Sequence, residues 1–497
     1  METNLRLGEI EADLEAVALI PRAIAQEYGL LAVGFEGQEL VVVTDDPLNY
    51  FALEEVRQLT GRRLLLRLSE GEPLRRAIAY YYAEVEAQRA AQAANRNFAP
   101  AADVVEESEN GDREAPIIKL LNSLLDRAVS NRASDIHIEP FEAHTCVRMR
   151  IDGVIVDYVT LQNGIHQSLI SRIKIMANLD IAERRLPQDG HFRFRTGGDQ
   201  INVRVSILPT AFGEKAVLRI LAASTQVEDN GERFGMDEEA YSRFLPMLSA
   251  PNGIIYLTGP TGSGKSTTLY LILEHLAKRP VNISTIEDPV EKNIPRVNQT
   301  QVNPPVGLTF EGGLRALLRQ DPDIIMVGET RDGETARISV RAAITGHMVL
   351  STLHTNDAVS SIVRLADMGV ERYLIANALV GLVAQRLVRK VCPACGAEVP
   401  STPEERAFLG EDITTLRRGR GCPRCSGTGY RGRTAIHQVV SIDREIRGMI
   451  SRRADTEEIE AYARSAQGMK SLREKGVELV RQGVTTPEEL LRIISWE

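Results

Sequence analysis

The stretch Gly259-Pro260-Thr261-Gly262-Ser263-Gly264-Lys265-Ser266 constrains this chain more than any other. It fits G-x-x-x-x-G-K-[ST], whose glycines let consecutive backbone N–H groups curl around phosphate oxygens. A helix N-terminus adds positive potential at the same place. The flanks agree. Gly253 to Thr258 (GIIYLT) is a short apolar run rich in β-formers and reads as a buried strand entering the loop. Ser266 to Lys278 has the length and apolar spacing of the helix that should follow. In that context Lys265 is expected to reach the β- and γ-phosphates and the Ser266 hydroxyl to ligate Mg²⁺. The phosphate-binding set runs from Gly259 through Thr267.

At 497 residues the chain is too long for one core, and its length suggests about three domains. It is 43% hydrophobic and 26% charged, the composition of a soluble globular protein. No run approaches the roughly 18 apolar residues of a membrane span. The opening METNLRLGE lacks the apolar core of a signal peptide. The expectation is a cytoplasmic protein with at most peripheral membrane contact. A net charge of −9 argues against a constitutive nucleic-acid binder.

Residues 1–86 read as a small α/β module with no catalytic constellation, suited to docking. Its expected elements are helices at Ala23–Tyr28, Leu53–Leu59 and Glu72–Glu84, and strands at Leu40–Val43 and Arg63–Leu68. Residues 87–113 are rich in Ala, Asn and acidic residues and form a flexible linker. A second domain spans 114–225. It opens with a helix at Ile117–Val129, and strands around Ser134–Pro140 and Thr145–Ile151 follow. Asp152-Gly153 then joins two apolar runs as a hairpin. A helix at Gln167–Ile181 and strands at Phe192–Phe194, Ile201–Ile207 and Lys215–Leu221 complete it. His137 alternates with Ile136 and Ile138 and reads as a sheet-surface residue rather than a metal ligand; Cys146 reads as core. A short linker at 226–236 leads to the nucleotide-binding core, 237–390.

In that core, Ile283–Ile286 is a strand ending in Glu287-Asp288-Pro289. Carboxylates at such an edge lie where open α/β sheets bind ligands, although Asp-Pro also begins turns. Asp323-Ile-Ile-Met-Val-Gly-Glu329 is an apolar strand ending in an acid. Glu329 is placed to orient and deprotonate an attacking water, a role worth about 10²–10⁴ in rate; Asp323, at the strand's other end, is structural. Met348–Leu353 runs into His354, which can contact the γ-phosphate, and His347 starts the same strand; either histidine can instead cap local backbone, and the edge shared with Lys265 and Glu329 favours function for His354. Arg315, Arg319, Arg331, Arg337 and Arg341 cluster nearby, and Arg204 and Arg219 lie on second-domain strands. Each is either a solvated, salt-bridged surface residue or a donor to transition-state charge, some from a neighbouring subunit.

Four of five cysteines form two C-x-x-C pairs, Cys392/Cys395 and Cys422/Cys425, with 26 residues between them. In a reducing compartment this pattern favours a closed, structural tetrahedral Zn²⁺ site over a redox pair. The zinc element covers 391–436, with an excursion from Pro400 to Arg420, and amphipathic helices fill 437–497, clearest at Thr456–Ala463 and Thr486–Ile494.

Together these elements resemble the secretion ATPase family of type II secretion and type IV pilus assembly. ASDIHIEP (133–140), RIDG (150–153), LPQDG (186–190) and RVSILPT (204–210) look like its second N-terminal domain. GPTGSGKST (259–267), TIEDPVE (285–291), LRQDPDIIMVGETRD (318–332) and AAITGHMVLSTLHTNDA (342–358) look like its phosphate loop, aspartate box, Walker B-like box and histidine box. Thr330 stands where the family usually carries Ile, and AIHQ (435–438) replaces a more usual GIYE.

The resemblance implies a RecA-like phosphate-loop ATPase core, a PAS-like α+β second N-terminal domain, a small N-terminal α/β module and a zinc-binding insertion. It makes Glu287 and Asp288 active-site acids and His354 a nucleotide sensor. It also implies a homohexamer in which Arg204 and Arg219 cross toward nucleotide. The tetracysteine element is typical of assembly and secretion members and absent from pilus-retraction ones. The N-terminal module resembles a second-messenger-binding domain. Its opening RLGEIEADLEAV (6–17) is short for the full helical repeat, which counts against cyclic di-GMP binding.

The expectation is therefore a hexameric, ATP- and Mg²⁺-dependent motor with structural Zn²⁺. It would drive pseudopilus or pilus assembly on inner-membrane platform proteins, without nucleic acid. A DNA-translocating RecA-like motor is the alternative, and a non-hydrolysing tether would need degraded boxes.

Overall fold

The computed structural model describes residues 10 and 12–494, apart from 72, 76, 83–84, 86–88, 90–110, 197–198, 222–230 and 411. Most of the 87–113 linker, the first half of the 226–236 linker, parts of the Glu72–Glu84 helix and residues 6–9 and 11 of the opening segment therefore lie outside the described residues. The chain divides into two compact units. One holds Met1–Ser224, Cys392–Ala397 and Arg418–Arg431, and the other the remainder.

In the first unit, β1 (Leu30–Glu36), β2 (Glu39–Thr44) and β3 (Leu64–Leu68) form a three-stranded sheet in that order. β1 was not anticipated, because it follows the helix Arg22–Tyr28 with only Gly29 between them. Gly29, at φ +60°, closes the helix in the left-handed conformation that suits glycine. β2 and β3 are parallel and joined by the helix Tyr50–Thr60.

The second domain is a six-stranded antiparallel sheet of β4 (Ala133–Pro140), β5 (His144–Ile151), β6 (Val154–Gln162), β7 (Gln188–Thr196), β8 (Asp199–Thr210) and β9 (Gly213–Leu221), in the order β6-β5-β4-β9-β8-β7. Asp152 and Gly153 both have φ above zero, as a two-residue turn matching strand twist requires. Ile136, Ile138, Val147, Met149 and Leu218 pack against Leu120 and Leu124 of the helix Gly111–Ser130 and Ile165 and Leu169 of the helix Asn163–Met176. This second helix begins and ends about a turn earlier than its sequence pattern suggests, and Asn178 turns the chain at φ +55°. His137 is half-buried on the sheet, with Arg148 and Val217 as cross-strand neighbours. Cys146 is half-buried rather than core, lying between Glu139 and Thr160 on the adjacent strands.

The second unit is built on a seven-stranded sheet of β10 (Gly253–Thr258), β11 (Ile283–Glu287), β12 (Val297–Gln301), β13 (Ile324–Val327), β14 (Met348–Leu353), β15 (Leu379–Val391) and β18 (Tyr430–Ser441), in the order β12-β11-β13-β14-β10-β15-β18. From β12 to β15 every neighbouring pair is parallel. All six residues of β10 are buried, as a strand covered on both faces requires. The excursion between the cysteine pairs holds β16 (Gly396–Pro400), β17 (Thr415–Gly419) and a helix at Pro403–Leu409. That helix starts with a Thr402/Glu405 capping box.

The last helix, Pro487–Ile494, is fixed to β15 by Glu489, which is fully buried. Its carboxylate accepts from the Arg389 backbone N–H at 3.0 Å and pairs with the guanidinium groups of Arg389 and Arg492 at 2.8 and 2.7 Å. Burial works against its charge, but these donors outweigh burial and hold its carboxyl below the usual range. Its stabilising contribution is thus present above the ordinary carboxyl pKa and is lost as pH falls through the depressed one. Glu489→Ala would remove the buried carboxylate that ties the last helix to β15, and truncating one side of a buried ion pair costs about 3–5 kcal/mol. Denaturation of this unit should therefore shift to lower temperature, and the shift should shrink on acidification.

Candidate active site

Parallel strands carry the sheet's C-terminal edge, and four of them deliver the sequence-singled residues there. β10 leads into the phosphate loop, β11 ends on Glu287, β13 precedes Glu329, and β14 precedes His354. Gly259, Gly262 and Gly264 have φ of +147°, +80° and +90°, values that an L side chain resists. Close packing adds to this. A Cβ on Gly259 would lie 2.5 Å from the Gln385 carbonyl oxygen, and one on Gly264 would lie 2.8 Å from Gln385 Nε2. Lys265 opens the helix Lys265–Leu276 and is buried. Its Nζ donates to the carbonyls of Gly259 and Pro260 at 2.7 and 3.0 Å. Burial, then the nearby Arg386 charge, pushes its pKa down to about 8, against the opposing pull of Glu329. Pro260, Thr261 and Ser266 are exposed, Thr267 is half-buried, and the Ser263 hydroxyl is buried without a hydrogen-bond partner. A left-handed glycine loop, a buried lysine and an orphaned hydroxyl fit a phosphate chain. Ser266, exposed at the start of the following helix, could hold a magnesium ion.

The backbone around Glu329 is fixed on both sides. Gly328 N–H donates to Ile286 O at 2.8 Å and Thr330 N–H to Thr352 O at 3.0 Å. The Glu329 carboxylate pairs with Arg331 through one oxygen and lies 3.8 Å from His354 Nε2 through the other. His354 is half exposed, and Thr355 N–H donates to Thr258 Oγ1 at 3.0 Å, which anchors this segment to the end of β10. Burial, then the Lys265 charge, lowers the His354 pKa, so the imidazole tends to neutrality.

Glu287 has a different environment. It is 3% exposed and accepts from Tyr270 OH, from Thr285 Oγ1 at 2.5 Å and from Gln299 Nε2 at 3.0 Å. Tyr270, on the helix after the phosphate loop, also accepts from Glu291 N–H at 2.9 Å. Asp288 is exposed beside it, and Asp323 accepts from the Asn282 N–H at 2.7 Å at the opposite end of the sheet. His347 Nδ1 lies 3.0 Å from Ala342 O, a local backbone contact. Arg315 pairs with Glu311 and Glu334. Arg204 and Arg219 lie in the other unit as directly opposed residues of β8 and β9, and Arg219 Nε is 2.9 Å from Asp135 Oδ1.

The four cysteine sulfurs lie within 4.8 Å of one another. The Cys392–Cys422, Cys395–Cys425 and Cys422–Cys425 separations are 3.9, 3.8 and 3.7 Å. A tetrahedral ion with Zn–S bonds of about 2.3 Å needs about 3.8 Å, so the cluster is compatible with zinc. Burial pushes the Cys395 thiol up and Cys422 up to about 11. Burial also opposes ionisation of Cys425, but backbone N–H groups of Cys422 and Gly429, each 3.2 Å from its sulfur, lower it.

Sequence reasoning missed Tyr270, Gln385 and Arg386. Their signal is a polar side chain within an apolar run, as in LVGLVAQRLVRKV (379–391).

Fold and edge residues together define a RecA-like phosphate-loop ATPase. The X-ray structure of the Legionella pneumophila ATPase DotB has the same fold, at TM-score 0.55 and 22% identity, covering 76% of this chain and 95% of that one. The chain belongs to the Type II/IV secretion system protein family, whose model matches residues 110–492. An MshEN domain model matches residues 3–88. The Type II secretion system protein E of Pseudomonas aeruginosa is 42% identical, over 98% of each chain. The Type IV pilus assembly ATPase PilB of Thermus thermophilus is 44% identical over 96% of this chain, which spans 54% of that protein's length. Among the described residues, no helix is long and apolar enough to cross a membrane.

Tyr270→Phe removes a donor from the buried Glu287 carboxylate and an acceptor from Glu291 N–H. An unmet buried polar group costs about 1–3 kcal/mol. A lower unfolding midpoint and slower ATP turnover are expected, read by calorimetry and phosphate release.

Proposed function

We propose that this chain is a hexameric, Mg²⁺-dependent ATPase that drives assembly of a pseudopilus or pilus at the inner membrane from its cytoplasmic side. The observation that carries the reading is the gathering of Lys265, Glu329 and His354 at one sheet edge in a member of this family. The names of its relatives support secretion or pilus assembly. Those names and the net charge of −9 weigh against a DNA-translocating motor.

In this reading the loop amides from Gly259 to Thr267 and the Lys265 ammonium hold the phosphates. Ser266 carries magnesium, which when bound neutralises charge on the β- and γ-phosphates. Glu329, oriented by Arg331, positions the attacking water and takes its proton. His354 meets the γ-phosphate and passes its loss to the segment anchored on Thr258. Glu287 and Asp288 shape the edge on the far side of Glu329, with Glu287 fixing the turn to the loop helix through Tyr270. Arg204 and Arg219 act in trans, completing a neighbour's site. The four cysteines hold a structural zinc ion, and residues 1–86 dock the ring to membrane platform proteins.

Lys265→Ala and Glu329→Gln should each lower turnover to background. Glu329→Gln should still bind ATP, because it keeps the loop and removes only the base. Normal turnover in purified Glu329→Gln would refute its assignment. Metal analysis should find about one zinc per chain, lost in Cys392→Ser/Cys395→Ser together with thermal stability. A content far below one would refute the zinc site.

A further inference from the structure

β15 runs past the end of β10. The register pairs Leu257 with Val383 and Thr258 with Ala384, so the next residues, Gln385 and Arg386, lie alongside the phosphate loop. Both are polar, yet they are only 1% and 8% exposed. Gln385 Nε2 donates to the Ser263 carbonyl in the middle of the loop at 3.0 Å. Its carbonyl oxygen faces Gly259 so closely that any side chain there would collide with it. Gln385 Oε1 is buried without a hydrogen-bond partner, as is the Ser263 hydroxyl. Arg386 reaches the other way. Its guanidinium donates to the carbonyl of Asn356, two residues beyond His354, at 2.7 Å, and to the Gln385 carbonyl at 3.2 Å.

A phosphate loop presents N–H groups inward only if its carbonyls point outward and are held there. Gln385 supplies such a hold at Ser263. Arg386 joins that hold to the segment carrying His354, giving two parts of the edge one common support. We propose that Gln385 and Arg386 are positioning residues for ATP hydrolysis, Gln385 setting the phosphate loop and Arg386 coupling it to the His354 segment. The proposal rests on the reading of this edge as an ATP site.

The two roles predict different kinetics. Gln385→Met keeps volume and removes the donor, so KM for ATP and the dissociation constant of ADP should rise about tenfold with kcat within twofold. Arg386→Lys keeps the charge beside Lys265 but cannot span both carbonyls, so kcat should fall about tenfold with KM near wild type. Side chains that only fill space would leave both constants unchanged in these near-isosteric variants, and that result overturns the proposal. Equal losses in kcat and KM in both variants overturn it too. Should Gln385→Met not fold, Gln385→Leu and ADP-induced thermal shifts of the full chain supply the same comparison. Absence of ATP turnover in the wild-type protein would instead refute the underlying function, so the two failures are distinguishable.

Discussion

Close backbone contact between the phosphate loop and β15 governs the chemistry of this chain. The loop can curl only because Gly259 and Gly264 have no side chains to strike Gln385. The curl delivers Lys265 to a buried position where the carbonyls of Gly259 and Pro260 accept its protons. A buried cation with neutral partners is costly, and the fall of its pKa to about 8 expresses that cost. Phosphate oxygens would relieve it by replacing carbonyl dipoles with full negative charge. The loop's geometry and its appetite for anions therefore have one cause.

The parallel sheet explains why everything else gathers nearby. Strands covered on both faces tolerate few charges along their length, so acids and histidines are displaced to the ends. β13 is buried throughout, and Glu329 follows only after Gly328. β11 shows the same pressure with a different outcome. Glu287 is its last residue and stays inside, which is tolerable because three donors meet its carboxylate. Two acids at equivalent strand ends are thus given different chemistry: one is saturated by neutral donors, the other faces Lys265, Arg331 and His354.

Those features that depend on local pattern were legible in the sequence. β10 and β14 match their expected bounds, and Glu329 and His354 fall at strand ends as their positions implied. Features set by neighbours were not. β15 follows the helix Arg372–Ala378 with no turn residue to divide them, so no break is written in the chain. Gln385 and Tyr270 look like interruptions of apolar segments until their partners at Ser263 and Glu287 are known. The C-x-x-C pairs announce their chemistry, whereas only the folded excursion brings four sulfurs to tetrahedral spacing.

The site's charge also differs from that of the whole chain. Net charge is −9, yet Lys265, Arg386 and Arg331 converge on the edge that carries Glu329 and His354. Burial first, and then repulsion from neighbouring cations, lowers the pKa of both Lys265 and His354. A bound triphosphate would oppose both shifts, because nearby negative charge favours the protonated form of each group. His354 is half exposed, and the segment that follows it is held by Arg386 through the Asn356 carbonyl.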